Sequence, residues 1–434
     1  MSIPIEVDRY LKKQNPHPWE IELKNEQLFN HIIVIPALDE LENIPILLDS
    51  LSLNSKKYLT EALVLVIVNN TASVKRSIIE ENLTLLNYLR TYQRENSFIN
   101  LGIIDAASEG KELPEKSGGV GFARKIGLDL ALKLVNYDTG RKKILISLDA
   151  DCLVAENYLQ KIVDDFNNKD LHAAVVNFQH VLPEDKNQKA AIINYEIFLR
   201  YYVLGLIYAK SHYAHLSVGS TIICDAESYI KIGGMNKRKA GEDFYFLEKL
   251  AKVKKINKVA DTTVFPSARV SSRVPFGTGV TIKRFLSGST NEYLVYSPKC
   301  FEILRKWLKI YNDKIKLSIS QKDIVKILQE TKTLNSDLYS FLVINNFEEN
   351  WNKILSNTKT DEQLNRQKIN WMDGFRTLKL IHHLKDNNLP NEKTFIAINQ
   401  LFRRMNIEFD FTTNEIIPPL EVQFTYLKLL RKLT

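Results

Sequence analysis

The sequence predicts an α/β fold, a mostly parallel sheet with helices on both faces, followed by a mainly α-helical C-terminal domain. Three observations carry this. From residue 31 onward, short wholly apolar runs alternate with helical segments, the pattern of right-handed βαβ crossovers whose strands are buried on both faces. From about Ser297 the apolar period becomes helical and stays so. The chain has 434 residues, 44% hydrophobic and 25% charged, which is ordinary for a globular protein and enough for more than one domain. That balance excludes disordered and fibrous classes.

Taken in order, residues 1–29 read as a leader packed on the core. HIIVIP (31–36) is a buried strand, and residues 41–53 carry helical spacing. ALVLVIV (62–68) and INLGIID (99–105) are the next strands. A Gly-rich turn then opens a helix over about 117–135, and KILISL (143–148) returns to the sheet. HAAVVNF (172–178) and STIIC (220–224) read as strands, with an apolar helix near 192–209 between them and a helix over 226–232 after them. Gly233-Gly234 breaks the chain before helical spacing resumes over 242–252. The expected sheet domain is therefore 30–296. The helical domain is 297–434, with apolar stripes at 304–310, 324–328, 338–347, 378–384 and 395–405.

Cys152, Cys224 and Cys300 lie far apart, so neither a disulfide framework nor a structural zinc site is expected. With no apolar segment of signal-peptide type at the start, a cytoplasmic location is expected. The most apolar stretch, 190–209, is interrupted by Asn194, Glu196 and Arg200 and suits a core helix better than a membrane span. The formal charge is +8, and beyond Cys300 there are 21 basic against 16 acidic residues. Solvated Lys-rich helix faces account for that excess; peripheral contact with the inner face of an anionic membrane is the functional alternative. Neither an aromatic-basic RNA signature nor zinc-finger spacing is present, and no nucleic-acid partner is expected.

Function becomes legible at the strand ends, because an open parallel sheet binds ligands beyond the carboxyl ends of its strands. The first strand runs into Pro36-Ala37-Leu38-Asp39-Glu40, the second into Asn69-Asn70-Thr71, and a later one into Asp149-Ala150-Asp151. Asx residues also cap helices and make turns, but three such clusters on one rim argue for a site. Alternate carboxylates at Asp149 and Asp151 suit a hard divalent cation, Mn²⁺ or Mg²⁺, whose shell substrate phosphates complete. After the Gly233-Gly234 turn, Glu242 and Asp243 open a helix. They are either helix-capping acids or, for Asp243, a general base for an attacking hydroxyl.

VIPALDELENI (34–44), VIVNN (66–70), GGVGFARKIGLDLAL (118–132), ISLDADCLV (146–154) and GGMNKRKAGEDFYFLEKL (233–250) together resemble, in order and spacing, the family 2 glycosyltransferases of the GT-A fold. The resemblance covers about residues 30–290; the C-terminal third resembles nothing named. It implies an inverting, metal-dependent transfer of a sugar from a nucleotide-sugar donor, a UDP-sugar first and a GDP-sugar second, to a glycan or lipid-linked saccharide such as a growing surface polysaccharide. On that likeness Pro36, Ala37, Asp39 and Glu40 line the nucleoside pocket with Asn69 and Asn70 beside the base. Arg124 sits near the nucleotide or its diphosphate, Asp149 and Asp151 hold the metal, and Asp243 is the base, with Gly233, Gly234 and Glu242 on the acceptor side.

Two departures stand out. Relatives commonly carry an acid where this chain has Asn69 and Asn70, and an amide both donates and accepts. Many also carry a histidine downstream as a further metal ligand, whereas none lies between His215 and His382 here. Arg269 and Arg273, each able to fork onto phosphate oxygens, are candidates to clamp the diphosphate. Bland readings are favoured elsewhere. Cys152 is a small core residue, His212 and His215 are structural, Lys237-Arg238-Lys239 is a solvated loop, and Tyr195, Phe198, Tyr201 and Tyr202 pack one helix. The competing functions are a nucleotidyltransferase, which would want a Gly-rich loop where PALDE stands, and a non-catalytic basic glycan- or nucleic-acid-binding protein on a transferase scaffold.

Overall fold

The computed structural model describes residues 3–14, 18–239, 241–269, 277–288, 291–409 and 415–434. The chain forms two compact units, one of residues 1–181 with 217–280 and one of residues 182–216 with 281–434. The boundary thus differs from the single break expected at 297. The apolar helix after residue 181 shares its core cluster with C-terminal helices.

A nine-stranded sheet builds the first unit. In chain order its strands are β1 (Glu22–Leu23), β2 (His31–Ala37), β3 (Ala62–Asn69), β4 (Asn100–Ala106), β5 (Ile144–Ser147), β6 (Cys152–Val154), β7 (Ala173–Phe178), β8 (Ile222–Asp225) and β9 (Asn257–Pro266). Their spatial order is β1-β4-β3-β2-β5-β8-β7-β9-β6. Strands β2, β3, β4, β5, β7 and β9 share one direction, and β1, β6 and β8 run against it. The mostly parallel α/β class expected from the sequence is what forms.

Every residue of β2 and β3 is buried, as continuous apolar strands covered on both faces must be. Ile32 and Val34 share one cluster with Ala123 and Ile126 of the helix Val120–Ala131. That helix lies directly on the strands at Gly127, where a Cβ would stand 2.5 Å from Val34 Cγ1 and 2.7 Å from Ile67 Cδ1. Pro36 is tolerated in β2 because pairing with β5 stops at Val34↔Ser147, so its missing N–H breaks no ladder bond.

The leader folds onto this unit through the helix Ile5–Lys13, which buries Val7 and Tyr10. The hydroxyls of Tyr10 and Tyr229 each donate to Asp129 Oδ1 at 2.7 Å, and Lys125 Nζ lies 2.8 Å from Asp129 Oδ2. Gly234 makes room for this network: its φ is +74°, and a Cβ there would stand 2.0 Å from the Tyr10 hydroxyl. Together with Gly233 it closes the helix Ala226–Lys231, the two amides donating to Ile230 O and Tyr229 O at 3.0 Å.

The second unit is helical, with one short strand pair, Leu294–Val295 against Glu392–Lys393. Its core helix Lys186–Tyr208 is the only described helix long and apolar enough to cross a membrane by length and composition, and two thirds of its apolar window is buried. Phe301 packs so closely that a Cβ at Gly205 would meet its ring at 2.5 Å. Glu196 accepts from Arg200 Nε at 2.8 Å and from Arg431 at 2.7 and 2.9 Å, so the buried carboxylate of this helix is paired within the core. Tyr201 is a core residue whose hydroxyl donates to Tyr296 O at 2.7 Å, and burial pushes His215 down to about 4.

Candidate active site

Because β2, β3, β5 and β9 run the same way, their carboxyl ends deliver side chains to one rim. Past β2, Asp39 adopts φ +60°, a backbone state Asp tolerates better than most residues. Its amide donates to Asn82 Oδ1 at 3.1 Å. Glu40 is buried, its Oε2 accepting from Asn43 Nδ2 at 2.6 Å. Beside them Glu81 Oε1 accepts from Leu41 N at 3.2 Å. A hydrogen bond with Asp39, then burial, raises the Glu81 carboxyl above its usual range.

Past β3, both asparagines turn inward. Asn69 Nδ2 donates to Ala37 O at 3.0 Å and Ile67 O at 3.1 Å, while Asn70 Nδ2 donates to Thr71 O at 3.2 Å and Ala107 O at 3.4 Å. Asn82 Nδ2 then reaches Asn69 O at 3.2 Å and Asn70 Oδ1 at 2.8 Å. These amides lock the ends of β2, β3 and β4 together. Sequence reasoning assigns no role to Asn82, although a signal exists: it takes the first place of the buried stripe Asn82, Leu85, Leu86, Leu89 in the helix Arg76–Glu95.

Past β5 come the two acids, each paired with an arginine. Arg124 is 2% exposed, and its two terminal nitrogens donate to Asp149 Oδ1 and Glu242 Oε1. Burial works against the guanidinium charge, but Asp149, Glu242 and Asp243 outweigh it and hold its pKa above the usual value. Gly219 cradles it, for a Cβ there would lie 2.7 Å from its Nη2. The sequence expects Arg124 near the nucleotide or its diphosphate; both terminal nitrogens donate to protein carboxylates.

Arg269 stands three residues past β9, a strand whose polar sequence hides it. Its Nε lies 3.1 Å from Asp151 Oδ2 and a terminal nitrogen donates to Glu40 Oε1. Arg273 lies outside the described residues. Cys152, beside the acids, is buried, and burial raises its thiol pKa far above the usual value, as a core role requires.

On the far side of Arg124, the helix Glu242–Ala251 starts after Gly241, whose φ of +67° turns the chain. Close contact with the helix Val120–Ala131 is possible only because Gly121 lacks a Cβ, which would lie 2.9 Å from Glu242 Cβ and 2.4 Å from Arg238 O in the preceding loop. Asp243 Oδ1 accepts from Phe244 N at 2.7 Å. Burial and then the charge of Glu242 push the Asp243 carboxyl up to about 6, against the pull of its Phe244 hydrogen bond and Arg124. The basic triplet is more fixed than expected: Lys237 sits over the Phe122 ring, Arg238 over Tyr245 at 3.7 Å, and Lys239 Nζ donates to Glu115 O at 2.8 Å.

Among the described residues no group of three or more His, Cys, Asp or Glu side chains forms a metal cage. The donor set still fits a hard cation that takes two carboxylates and fills its shell with water and phosphate oxygens, since the Asp149 and Asp151 side chains are 33% and 23% exposed.

No family model matches the chain, and no curated protein does. Solved structures similar to it include Staphylococcus aureus TarS 1–349 in complex with UDP-GlcNAc, at 15% identity and a TM-score of 0.40 over 73% of this chain and 87% of that one. The same TarS fragment in complex with UDP gives 14% and 0.36 over 93% and 89%. The mannosyltransferase PcManGT of Pyrobaculum calidifontis, in complex with GDP-Man and Mn²⁺, gives 14% and 0.37 over 88% and 94%. At such identities the chemistry has to be read from this chain's own residues.

Proposed function

We propose that the chain is an inverting glycosyltransferase that moves a sugar from a nucleotide-sugar donor, a UDP-sugar first and a GDP-sugar second, to a hydroxyl of a glycan or lipid-linked saccharide. One observation carries the reading. Arg124 ties Asp149 at the rim to Glu242, and beside Glu242 the Asp243 carboxyl is pushed up to about 6 by burial and by the charge of Glu242. A carboxylate of that pKa is ionised at neutral pH and more basic than an ordinary aspartate, which suits a general base. Asp243 takes the proton of the acceptor hydroxyl as its oxygen bonds to the anomeric carbon. The bond from that carbon to the nucleoside diphosphate breaks with its electron pair leaving on the phosphate oxygen. A single displacement of this kind inverts the centre and needs no second carboxylate.

Asp149 and Asp151 would hold Mn²⁺ or Mg²⁺, which when bound supplies charge neutralisation for the departing diphosphate. Arg124 positions Asp149 on one side and Glu242, next to the base, on the other. Pro36, Ala37, Asp39 and Glu40 shape the nucleoside side, with Asn69 and Asn70 fixing the loops around it. Gly233 and Gly234 set the turn leading to the acceptor side. The enzyme is expected in the cytoplasm, with peripheral membrane contact if the acceptor is lipid-linked. The test is nucleotide release from UDP-, GDP-, CMP- and dTDP-sugars with Mn²⁺, Mg²⁺ or EDTA, run on wild type, Asp151→Asn and Asp243→Asn. Metal-dependent release from one donor, lost in Asp151→Asn, is the expected outcome. Silence across the panel together with no donor binding by calorimetry would replace this reading with a non-catalytic glycan- or nucleic-acid-binding protein on a transferase scaffold.

A further inference from the structure

The two arginines of the rim are built differently. Arg124 is caged by Gly219 and two acids at 2% exposure, whereas the Arg269 side chain is 31% exposed beside Asp151. Arg269 occupies the carboxylate that a divalent cation would need, with Nε 3.1 Å from Asp151 Oδ2, and it bridges from there to Glu40. A guanidinium at that distance neutralises Asp151 and repels a dication approaching it. Glu40 keeps a second partner in Asn43, 2.6 Å away, so it is not left bare if Arg269 moves.

We propose that Arg269 is a resident counter-ion that holds Asp151 until a nucleoside diphosphate draws it off, so that diphosphate and divalent cation bind synergistically. This rests on the donor-binding reading above. Arginine pairs with phosphate oxygens at least as well as with carboxylate, because its fork matches both. A diphosphate arriving at the rim offers it more negative charge than Asp151 and Glu40 do singly. Transfer of the guanidinium would free the Asp151 carboxylate, which together with Asp149 would then hold the cation that neutralises the diphosphate. Coupling of this kind is reciprocal: the factor by which nucleotide strengthens cation binding equals the factor by which cation strengthens nucleotide binding.

The test is titration calorimetry of Mn²⁺ into the full chain, without nucleotide and with UDP or GDP, for wild type and Arg269→Ala, with folding of the variant checked by thermal melting. Without nucleotide, Arg269→Ala should bind Mn²⁺ about tenfold more tightly than wild type, because the competing cation is gone. With nucleotide bound, the two should agree within about threefold, since in wild type the arginine has already left. Equal Mn²⁺ affinity of the two proteins without nucleotide overturns the proposal. So does wild-type nucleotide affinity that ignores Mn²⁺. If neither UDP nor GDP binds either protein under any condition, the donor reading falls and this one with it. Nucleotide binding with unchanged metal competition removes only the role of Arg269.

Discussion

Replacing Arg124 with methionine tests whether the rim is held together by its buried charge. Methionine has similar reach and no charge, so Arg124→Met empties the cradle at Gly219 of its cation and leaves two acids without their shared partner. Glu242 is the costly one: its side chain is 7% exposed, and stranding a carboxylate there costs about 3–5 kcal/mol. Asp149, at 33% exposed, reaches water and adds about 1 kcal/mol or less. Better packing of methionine against the apolar parts of the cradle recovers part of this, leaving a net loss of about 3 kcal/mol. In a unit of about 250 residues, that lowers its melting temperature by about 6–12 °C. Calorimetry, with hydrogen exchange followed on peptides covering 120–131 and 242–251, would measure the loss and locate it. Arg124→Met/Glu242→Gln should recover at least half, because the stranded charge is then gone. A single variant melting within about 2 °C of wild type, or a double variant no better than the single, would refute the reasoning.

Asp243→Asn should abolish acceptor-dependent transfer while stabilising the fold above neutral pH. The carboxyl binds its proton up to about pH 6 in the folded chain but only to about 3.8 once unfolded, so its stabilising share is present below 3.8 and lost as pH rises through 6. The stability gain of the variant should therefore be small at pH 4 and level off above pH 6 at about 3 kcal/mol, read by urea midpoints across pH; wild-type turnover should fall on the acid side with a midpoint near 6. His31 has the opposite sign. Burial, opposed by Glu61, lowers it to about 4, so between 6.5 and 4 only the unfolded chain takes up that proton and stability falls with falling pH; a His31→Leu chain should lack about 2–3 kcal/mol of that acid loss. Gly234→Ala should cost about 3 kcal/mol, from a Cβ 2.0 Å from the Tyr10 hydroxyl and from φ +74°. Made in a Tyr10→Phe background, the same change should cost about 1–2 kcal/mol, the backbone share plus the milder 3.1 Å contact with the Tyr229 hydroxyl, and equal costs in both backgrounds would rule out the clash.

Much of the sheet is legible because buried parallel strands are written as unbroken apolar runs. His31–Ala37 and Ala62–Asn69 can be read almost to the residue for that reason. Strand Asn257–Pro266 escapes because Asn257, Lys258, Asp261, Thr262 and Thr263 interrupt its apolar positions, and a register shift falls opposite Val176 and Asn177. Without that strand nothing shows why Arg269 belongs to the rim, although the chemistry of its fork is plain from its residue type. The acids of the site are legible as strand-end residues. Their partners are not, because nothing in spacing says that Arg124 faces Glu242, 118 positions later, or that Asn70 looks inward to Asn82. Side-chain direction at a strand end is decided by the adjoining loops, and those loops carry little period.

The helix Lys186–Tyr208 leaves the ribosome long before the helix that packs on it. Glu196 waits 235 residues for Arg431, which at about 5–20 residues per second is on the order of 10–50 s of synthesis. During that interval this long apolar helix has its internal Glu196–Arg200 pair but lacks Arg431 and its packing against the helix Leu420–Leu433. The sheet unit, whose last strand is finished by Pro266, can fold first while that helix stays unsatisfied. Nascent chains halted between residues 270 and 420 should therefore recruit chaperones at this helix, and release to full length should shed them.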